Sequence, residues 1–402
     1  MDPNSLHQDN ITSCPSNQAV GGGRETQSFS HLWKSLSWID RLLAPLVLLA
    51  IILGVIIGVY AEEGVEHTFK QGATWDGVSI PILIGLLVMI WPALAKVQWE
   101  RLPDLFRNRN IWLHLAISFV LNWIIAPFIM LAVAWMTLPE QSMERERKGL
   151  LLVGVARCIA MVLIWNTISC GDNNYCAILV VFNSLLQVVL FSPYAVLFLN
   201  YMGGRSSDSS LDLDYSDASR AVGIYLGIPL AAGLITRMIV LSTMKPSGIS
   251  KFFKYFGLLA PLGLLYTIIV LFANQGKRIV DNIGTVFRIC VPLILYFSIV
   301  WTATFFAFWA LSRRHSSFGG YEKAVTQSFT AGSNNFELAI AVGIASFGPD
   351  SPEVLAATLG PLVEVPVLLS LSYLALWLRE RLNWEEISKS GGEVDSSDVE
   401  RK

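Results

Sequence analysis

Long apolar runs alternate with short polar loops along most of the chain. A bilayer hydrocarbon core of about 30 Å is crossed by about 20 residues of helix. The runs are too long for barrel strands, so helices that satisfy their own backbone groups are expected. The pattern therefore predicts an all-α polytopic membrane protein with ten transmembrane helices. The ten segments are 42–61, 78–96, 111–137, 149–167, 176–200, 219–241, 256–274, 285–311, 324–346 and 354–378.

The fourth and ninth segments carry polar and small residues near their centres. The fourth contains "GVARC" around Arg157, and the ninth contains "TAGSNNFE" around Asn334. Gly, Ser and Asn disfavour helix, and non-helical backbone at membrane depth is tolerated only inside protein or beside water. We therefore predict that helices 4 and 9 are broken and that they cross at the centre of the molecule.

The fourth and fifth segments align without gaps with the ninth and tenth when Arg157 is placed on Asn334, an offset of 177 residues. Five spans in each half would make the halves inverted relative to each other. Transporters built in this way bind substrate at broken helices near the midplane. We therefore expect two inverted five-helix repeats. The other polar positions that coincide at this offset are Cys158 with Asn335 and Gln187 with Glu364.

Composition supports the membrane class. Hydrophobic residues make up 53% of the chain and charged residues 15%, against about 25% charged in soluble domains. The net charge of −2 is uninformative about nucleic acid, and no basic patch in the sequence supports nucleic-acid binding. The polar ends read as disordered tails. The expected divisions are a tail at 1–30, a first repeat at 31–200, an acidic extracellular linker at 201–218, a second repeat at 219–380 and a tail at 381–402.

The Lys and Arg residues that flank the ten segments set the expected orientation. More of them follow the even-numbered segments and precede the odd-numbered ones, whereas the opposite side holds the acidic loops "AEEGVEH" and "SSDSSLDLDYSDAS". Cytoplasmic loops are enriched in Lys and Arg. We therefore place both termini in the cytoplasm.

Arg157 and Cys158 are neighbours inside the fourth segment. A buried ionisable residue in a span is a functional hypothesis by default, although Arg157 could also snorkel to an interface. A buried Cys is usually an inert small side chain, but a nearby cation favours its thiolate. Thiolate is a soft ligand, and a single one would release its cargo more readily than a chelating cage.

Five further polar residues lie within predicted spans. Glu364 lies near mid-bilayer, where a carboxyl group could carry protons or serve as a static partner of Arg157. Glu337 follows Asn334 by one helical turn and could bind substrate or accept a structural hydrogen bond. Asn183, Gln187 and Asn166 are more typical of hydrogen bonds between helices than of substrate contacts.

These motifs resemble one known family. "GVARCIAMVLIWN", "GDNN", "SNNFELAIAV", "GPLVEVPVLL" and the preceding "KSLSWIDR" are similar to the eukaryotic arsenite-efflux permeases of the bile acid/sodium symporter-like superfamily. The resemblance covers roughly residues 31–380. It implies panel and core domains, and export of arsenite, often with antimonite, by proton exchange and without a cofactor.

The resemblance also implies roles for individual residues. Cys158 matches the family's essential cysteine, which would bind As(III), and Glu364 matches its essential glutamate, which would couple transport to protons. The implied substrate-binding positions are Arg157, Cys158, Asn166, Asn334, Asn335 and Glu337, with Asn183 and Gln187 as supporting polar groups. Efflux favours the plasma membrane, with a vacuolar membrane as the alternative.

Three other functions remain open from the sequence. A sodium-coupled organic-anion symporter of the same superfamily would use Arg157 as the counter-charge for its substrate. An intramembrane enzyme with Cys158 as nucleophile would need a paired base, and the five histidines lie in tails, loops or the start of the third segment. A passive channel would conduct without a proton gradient.

Overall fold

The computed structural model describes most of the membrane-spanning region. The predicted tail at 1–30, nearly all of the tail at 381–402 and part of the linker at 201–218 fall outside the described residues. The structure describes residues 38–69, 72–75, 78–97, 99–101, 109–204, 212–382 and 384.

The first half of the described chain is helical apart from one short hairpin. Its helices are α1 (Trp38–Tyr60), α2 (Glu62–Phe69), α3 (Ile80–Ala95), α4 (Arg109–Phe119), α5 (Ala126–Thr137), α6 (Glu144–Val155), α7 (Met161–Ile168) and α8 (Asn173–Val196). A π-helical turn, Val120–Ile125, joins α4 to α5, and another, Leu197–Met202, extends α8. The strands Thr74–Trp75 and Val78–Ser79 pair antiparallel before α3.

Eight α-helices make up most of the described second half. Its helices are α9 (Tyr215–Val222), α10 (Ile228–Thr243), α11 (Pro246–Phe256), α12 (Leu259–Asp281), α13 (Ile283–Ser312), α14 (Gly320–Ala331), α15 (Phe336–Phe347) and α16 (Pro352–Arg381). The π-helical turn Gly223–Gly227 joins α9 to α10.

Six helices of the described chain are long and apolar enough to cross a membrane. They are Asn110–Thr137, Asn173–Met202, Tyr215–Thr243, Pro246–Asp281, Ile283–Ser312 and Pro352–Arg381. The bent pair Pro45–Tyr60 and Glu62–Thr68, with an angle of 98° between its arms, would be a seventh. The fold is thus that of a polytopic membrane protein. The remaining predicted spans correspond to the short α3 and to two interrupted helices.

Both predicted interruptions lie at breaks in the structure. The segment 149–167 contains the end of α6 at Val155 and the start of α7 at Met161. The segment 324–346 contains the end of α14 at Ala331 and the start of α15 at Phe336.

Capping residues define the helices that follow each interrupted pair. The Asp172 carboxylate accepts a hydrogen bond from the Tyr175 N–H at 2.9 Å and begins α8. The Ser351 hydroxyl accepts one from the Val354 N–H at 3.3 Å and begins α16, where Pro352 occupies the first helical position. Such caps satisfy N–H groups that the first helical turn leaves free.

The helices pack as two groups that meet around the breaks. The panel group is α1, α3, α10 and α12, in which α12 packs along α1 and α3 while α10 packs on α3. The core group contains both broken pairs together with α5, α8, α13 and α16. Helix α9 leads into the panel but packs against α8 and α15 of the core.

Glycines let the two long panel helices α1 and α12 approach closely. A Cβ added at Gly58 would lie 2.4 Å from the Ala273 carbonyl oxygen and 2.9 Å from the Gly276 Cα. A Cβ at Gly54 would lie 2.7 Å from the Phe272 Cβ. Small residues at such spacing allow helix backbones to touch within a membrane.

Gly58→Ala should destabilise the protein by about 1–3 kcal/mol, because the added methyl group collides with backbone that cannot move aside. Gly64→Ala is the matched control, since no atom lies within 4 Å of its added Cβ. Denaturant unfolding of the detergent-solubilised protein measures the free energy of unfolding of each variant. Equal stability of the two variants would contradict the close α1–α12 contact.

Candidate functional site

The two helix breaks pair with each other through their main chains. Arg157 and Asn334 form an isolated antiparallel β-bridge, and the Asn335 N–H donates to the Ala156 carbonyl oxygen at 3.3 Å. Helix ends leave N–H and C=O groups without partners, and unpaired groups of this kind are costly away from water. The pairing of the two breaks therefore gives some of these backbone N–H and C=O groups a hydrogen-bond partner.

The side chains of Asn334 and Asn335 complete two of the helix ends. Asn334 Nδ2 donates to the carbonyl oxygens of Val153 and Ala156, at 2.8 and 3.0 Å, where α6 ends. Asn335 Oδ1 accepts from the Leu338 N–H at 3.0 Å and caps the start of α15. The adjacent asparagines thus hold the C-terminus of one half-helix beside the N-terminus of another.

Arg157 is buried with its guanidinium turned back towards the end of α6. The guanidinium donates to the carbonyl oxygens of Gly154 and Val155 and to the Tyr296 hydroxyl, with the last two contacts at 3.4 and 3.5 Å. A cation stabilises the negative end of a helix dipole. The hydrogen bonds described for this guanidinium therefore stabilise the break, and they include neither the thiol nor Glu364, the two partners considered from sequence.

The Cys158 thiol lies near polar groups from both halves of the chain. Its sulfur accepts the Val162 N–H at 3.3 Å, at the start of α7. Glu364 and Glu337 both lie within electrostatic range of the sulfur, and the Ser333 hydroxyl lies beside it. The fold thus gathers a thiol from the first half and two carboxyl groups from the second.

Glu364 and Glu337 differ in exposure and in partners. Glu364 is fully buried. Its carboxyl oxygens make no well-aligned hydrogen bond with another described residue, although the Trp165 indole lies beside the carboxyl group. Glu337 lies in the first turn of α15 and retains 8% of its exposure. Burying a carboxyl group at membrane depth costs free energy, so each of these two residues is a candidate functional group.

Several other polar atoms at the crossing also lack hydrogen-bond partners within the described chain. The set contains one acceptor and two donors, so a ligand that both donates and accepts hydrogen bonds would satisfy it. These atoms are Asn334 Oδ1, Asn335 Nδ2 and Gln187 Nε2.

Not all of the predicted polar residues reach the crossing. Gln187 does, since its Oε1 accepts the Arg157 backbone N–H. Asn166 lies at the far end of α7, where it donates to Asn173 at 2.8 Å and accepts from the Thr326 hydroxyl at 2.7 Å.

Asn183 lies among side chains of the third predicted span. Its Oδ1 accepts the indole N–H of Trp123 at 3.2 Å, and its Nδ2 donates to the Ser118 hydroxyl at 3.4 Å. These contacts agree with the expectation that Asn183 joins helices, as polar groups in spans often do.

Two site residues escaped the sequence reasoning. Trp165 is buried with its indole beside Glu364, and Tyr296 contributes the hydroxyl that contacts Arg157. Tyr296 lies among several other aromatic residues in its segment. Trp165 lies two residues from the end of the predicted fourth segment, where Trp is expected at a bilayer interface, so neither residue stood out.

The chain matches known membrane transporters over most of its length. The model of the Sodium Bile acid symporter family matches residues 83–282. An arsenical-resistance protein Acr3 of Corynebacterium glutamicum is 38% identical over 352 residues, which cover 86% of this chain and 91% of that protein. Another Acr3, from Alkaliphilus metalliredigens, is 30% identical, with coverage of 85% and 93%. An uncharacterised transporter of Synechocystis is also 30% identical, with coverage of 84% and 88%.

Asn334→Ala should destabilise the crossing by about 1–3 kcal/mol, because two buried carbonyl oxygens at the end of α6 lose a donor. Ser370→Ala is a control, since that exposed hydroxyl donates only within its own helix. Hydrogen exchange followed by mass spectrometry should show faster exchange at 153–158 in Asn334→Ala alone. Unchanged exchange there would contradict the role of this side chain.

Proposed function

Because the chain belongs to the arsenical-resistance permease family, whose members are membrane transporters and not enzymes, we propose that it exports arsenite from the cytosol in exchange for protons. Antimonite is the proposed second substrate. The observation that carries the proposal is the pairing of the two helix breaks, which brings Cys158 within electrostatic range of Glu337 and Glu364.

Arsenite chemistry suits this set of groups. At neutral pH arsenite is an uncharged trihydroxide, so its oxygens donate and accept hydrogen bonds around a soft arsenic atom. The amide groups of Asn334 and Asn335 offer one acceptor and one donor that have no partner within the described residues, and the charged Glu364 carboxyl group would accept further hydrogen bonds. Arsenite would therefore satisfy polar atoms that lack a partner in the described part of the chain.

Cys158 supplies the selectivity for arsenic in this proposal. Its thiol would replace one arsenite hydroxyl: an S–As bond forms, an As–O bond breaks, and the thiol proton leaves with the hydroxyl as water. Soft sulfur ligands select soft ions and centres. A single S–As bond is reversed by water, so the cargo can be released.

Glu364 would couple arsenite release to proton entry. In its charged form it would accept hydrogen bonds from arsenite in the inward-facing state. A proton arriving from outside would neutralise the carboxyl, displace the cargo and allow the return step. Glu337 lies close enough to interact with Glu364, so the two carboxyl groups would act as one proton-binding unit.

Four of the predicted polar residues would act mainly by holding the elements around the helix crossing in position. They are Arg157, Gln187, Asn166 and Asn183. Arg157 contributes a fixed positive charge at the break and Gln187 holds its backbone. The hydrogen bonds of Asn166 with Asn173 and Thr326 hold the turn after α7, so we propose that Asn166 supports the substrate-binding residues without direct contact with the substrate.

The full architecture proposed is ten spans in two inverted repeats, 31–200 and 219–380. The bridge between Arg157 and Asn334 supports it, since residues related by the 177-residue offset then meet on a local two-fold axis. The basic flanks support cytoplasmic termini. We propose the plasma membrane as the location, with the vacuolar membrane as the alternative, and the motifs favour the eukaryotic branch.

A sodium-coupled organic-anion symporter is the second candidate, favoured by the description of the matching family model. Its substrate would need a free cation at the crossing, whereas the Arg157 guanidinium already contacts main-chain oxygens. Sodium and proton gradients imposed separately on vesicles distinguish the two functions. Arsenite flux that follows sodium alone would support this candidate.

Glu364→Gln should reduce proton-driven arsenite uptake into everted vesicles roughly tenfold to a hundredfold, the factor for losing one charged interaction of about 1.5–3 kcal/mol. Glu63→Gln, which removes an exposed carboxylate, is the matched control and should transport normally. Full activity of Glu364→Gln would exclude the carboxyl group from coupling.

Cys158→Ser should abolish most arsenite transport, because a hydroxyl is a hard ligand with little preference for arsenic. Cys290→Ser is the control, since that thiol is only half-buried on α13. Initial uptake rates at several arsenite concentrations measure both variants. Normal transport by Cys158→Ser would remove sulfur from the mechanism.

A further inference from the structure

We propose that the helical hairpin tip, residues 244–258 between α10 and α12, binds the headgroups of anionic lipids through Lys245, Lys251 and Lys254. The tip joins two helices of the panel group and is separate from the helix crossing. Anionic lipid held there would anchor the panel to one face of the bilayer.

The sequence of α11 separates apolar from basic positions. Ile249, Phe252, Phe253 and Phe256 follow the i, i+3, i+4, i+7 spacing of one helix face and are half-buried. The lysines are exposed, and no acidic residue occurs in "MKPSGISKFFKYFG". A short helix with aromatic residues on one face and lysines on another is typical of the membrane interface.

Contacts with the C-terminal end of α3 indicate where the tip lies relative to the bilayer. Arg237 of α10 forms a two-pronged ion pair with Glu100, at 2.7 and 2.5 Å, and donates to the carbonyl oxygens of Ala95 and Lys96. The Lys96 side chain also lies against Gly257, which follows α11. The tip therefore extends past the C-terminus of an apolar helix, into the region where headgroups lie.

Aromatic contacts fix α11 to the panel. The Phe253 ring lies under the Arg237 guanidinium, 5.0 Å from ring centroid to carbon. Phe256 packs edge-on against Trp91 of α3, with centroids 5.6 Å apart. Because these contacts hold α11 on two panel helices, a lipid bound to its lysines would stabilise the panel and not a loop alone.

The positive charge of the tip favours an anionic lipid as its ligand. Lys245, Lys251 and Lys254 form no ion pair within the part of the chain that the structure describes. Tyr255 beside them is 68% exposed, as expected of an aromatic ring at a bilayer interface. An exposed basic cluster next to an apolar surface attracts phosphate-bearing anionic lipids more than zwitterionic ones.

The test uses the full-length protein in nanodiscs of phosphatidylcholine with or without phosphatidylglycerol. Phosphatidylglycerol should raise the unfolding temperature of the wild type, and native mass spectrometry should show it retained after delipidation. Lys251→Gln with Lys254→Gln should weaken its retention roughly 25-fold, because each lysine near an anionic surface contributes about a factor of five.

Three arms make the outcome decisive. Lys251→Arg with Lys254→Arg should keep the wild-type response, and high salt should remove it. Arg313→Gln with Arg314→Gln removes two exposed charges next to the core group. This variant should keep the wild-type response to phosphatidylglycerol. A full response in the Lys→Gln variant, an equal loss in the Arg→Gln variant, or a wild-type response unchanged by salt would each overturn the proposal.

Discussion

The structure depends on the requirement that backbone groups buried at membrane depth find partners. Two helices stop inside the fold, and each stop exposes carbonyl or N–H groups that lipid cannot satisfy. The bridge between Arg157 and Asn334 and the amide contacts of Asn334 and Asn335 satisfy them internally. Because those contacts need both breaks at one point, the crossing fixes where the side chains of the two halves meet.

In the proposed mechanism, the chemistry of the site arises from the differences between positions that the 177-residue offset relates. Cys158 stands where the other half has Asn335, and Gln187 stands where it has Glu364. The first half would thus contribute the soft ligand, whereas the second would contribute the amides of Asn334 and Asn335 and the titratable group. Arg157 does not activate the thiol by direct contact. Its guanidinium stabilises the C-terminal end of α6, which keeps Cys158 at the start of the next half-helix.

Much of this arrangement could be predicted from sequence, because helix-weakening residues in apolar runs are costly and therefore conspicuous. "GVARC" and "SNNFE" marked both breaks, and the 177-residue offset paired Arg157 with Asn334. The direction of the Arg157 side chain could not be predicted, since it depends on carbonyl groups freed by the fold itself. Trp165 was missed because an aromatic residue in an apolar segment carries no distinguishing signal. The described chain has fewer long membrane-crossing helices than the ten segments predicted from sequence. The reason is that α3 and the broken helices are shorter than the apolar segments that contain them.

Arsenic X-ray absorption spectroscopy of the arsenite-loaded wild-type protein tests the central claim most directly. The measurement counts the sulfur and oxygen atoms bound to arsenic, independently of transport. The account predicts one sulfur neighbour together with oxygen neighbours, because a single thiol faces the carboxyl groups and amides of the crossing. A shell made only of oxygen, or one with several sulfur atoms, would contradict the assignment of Cys158 as the sole soft ligand.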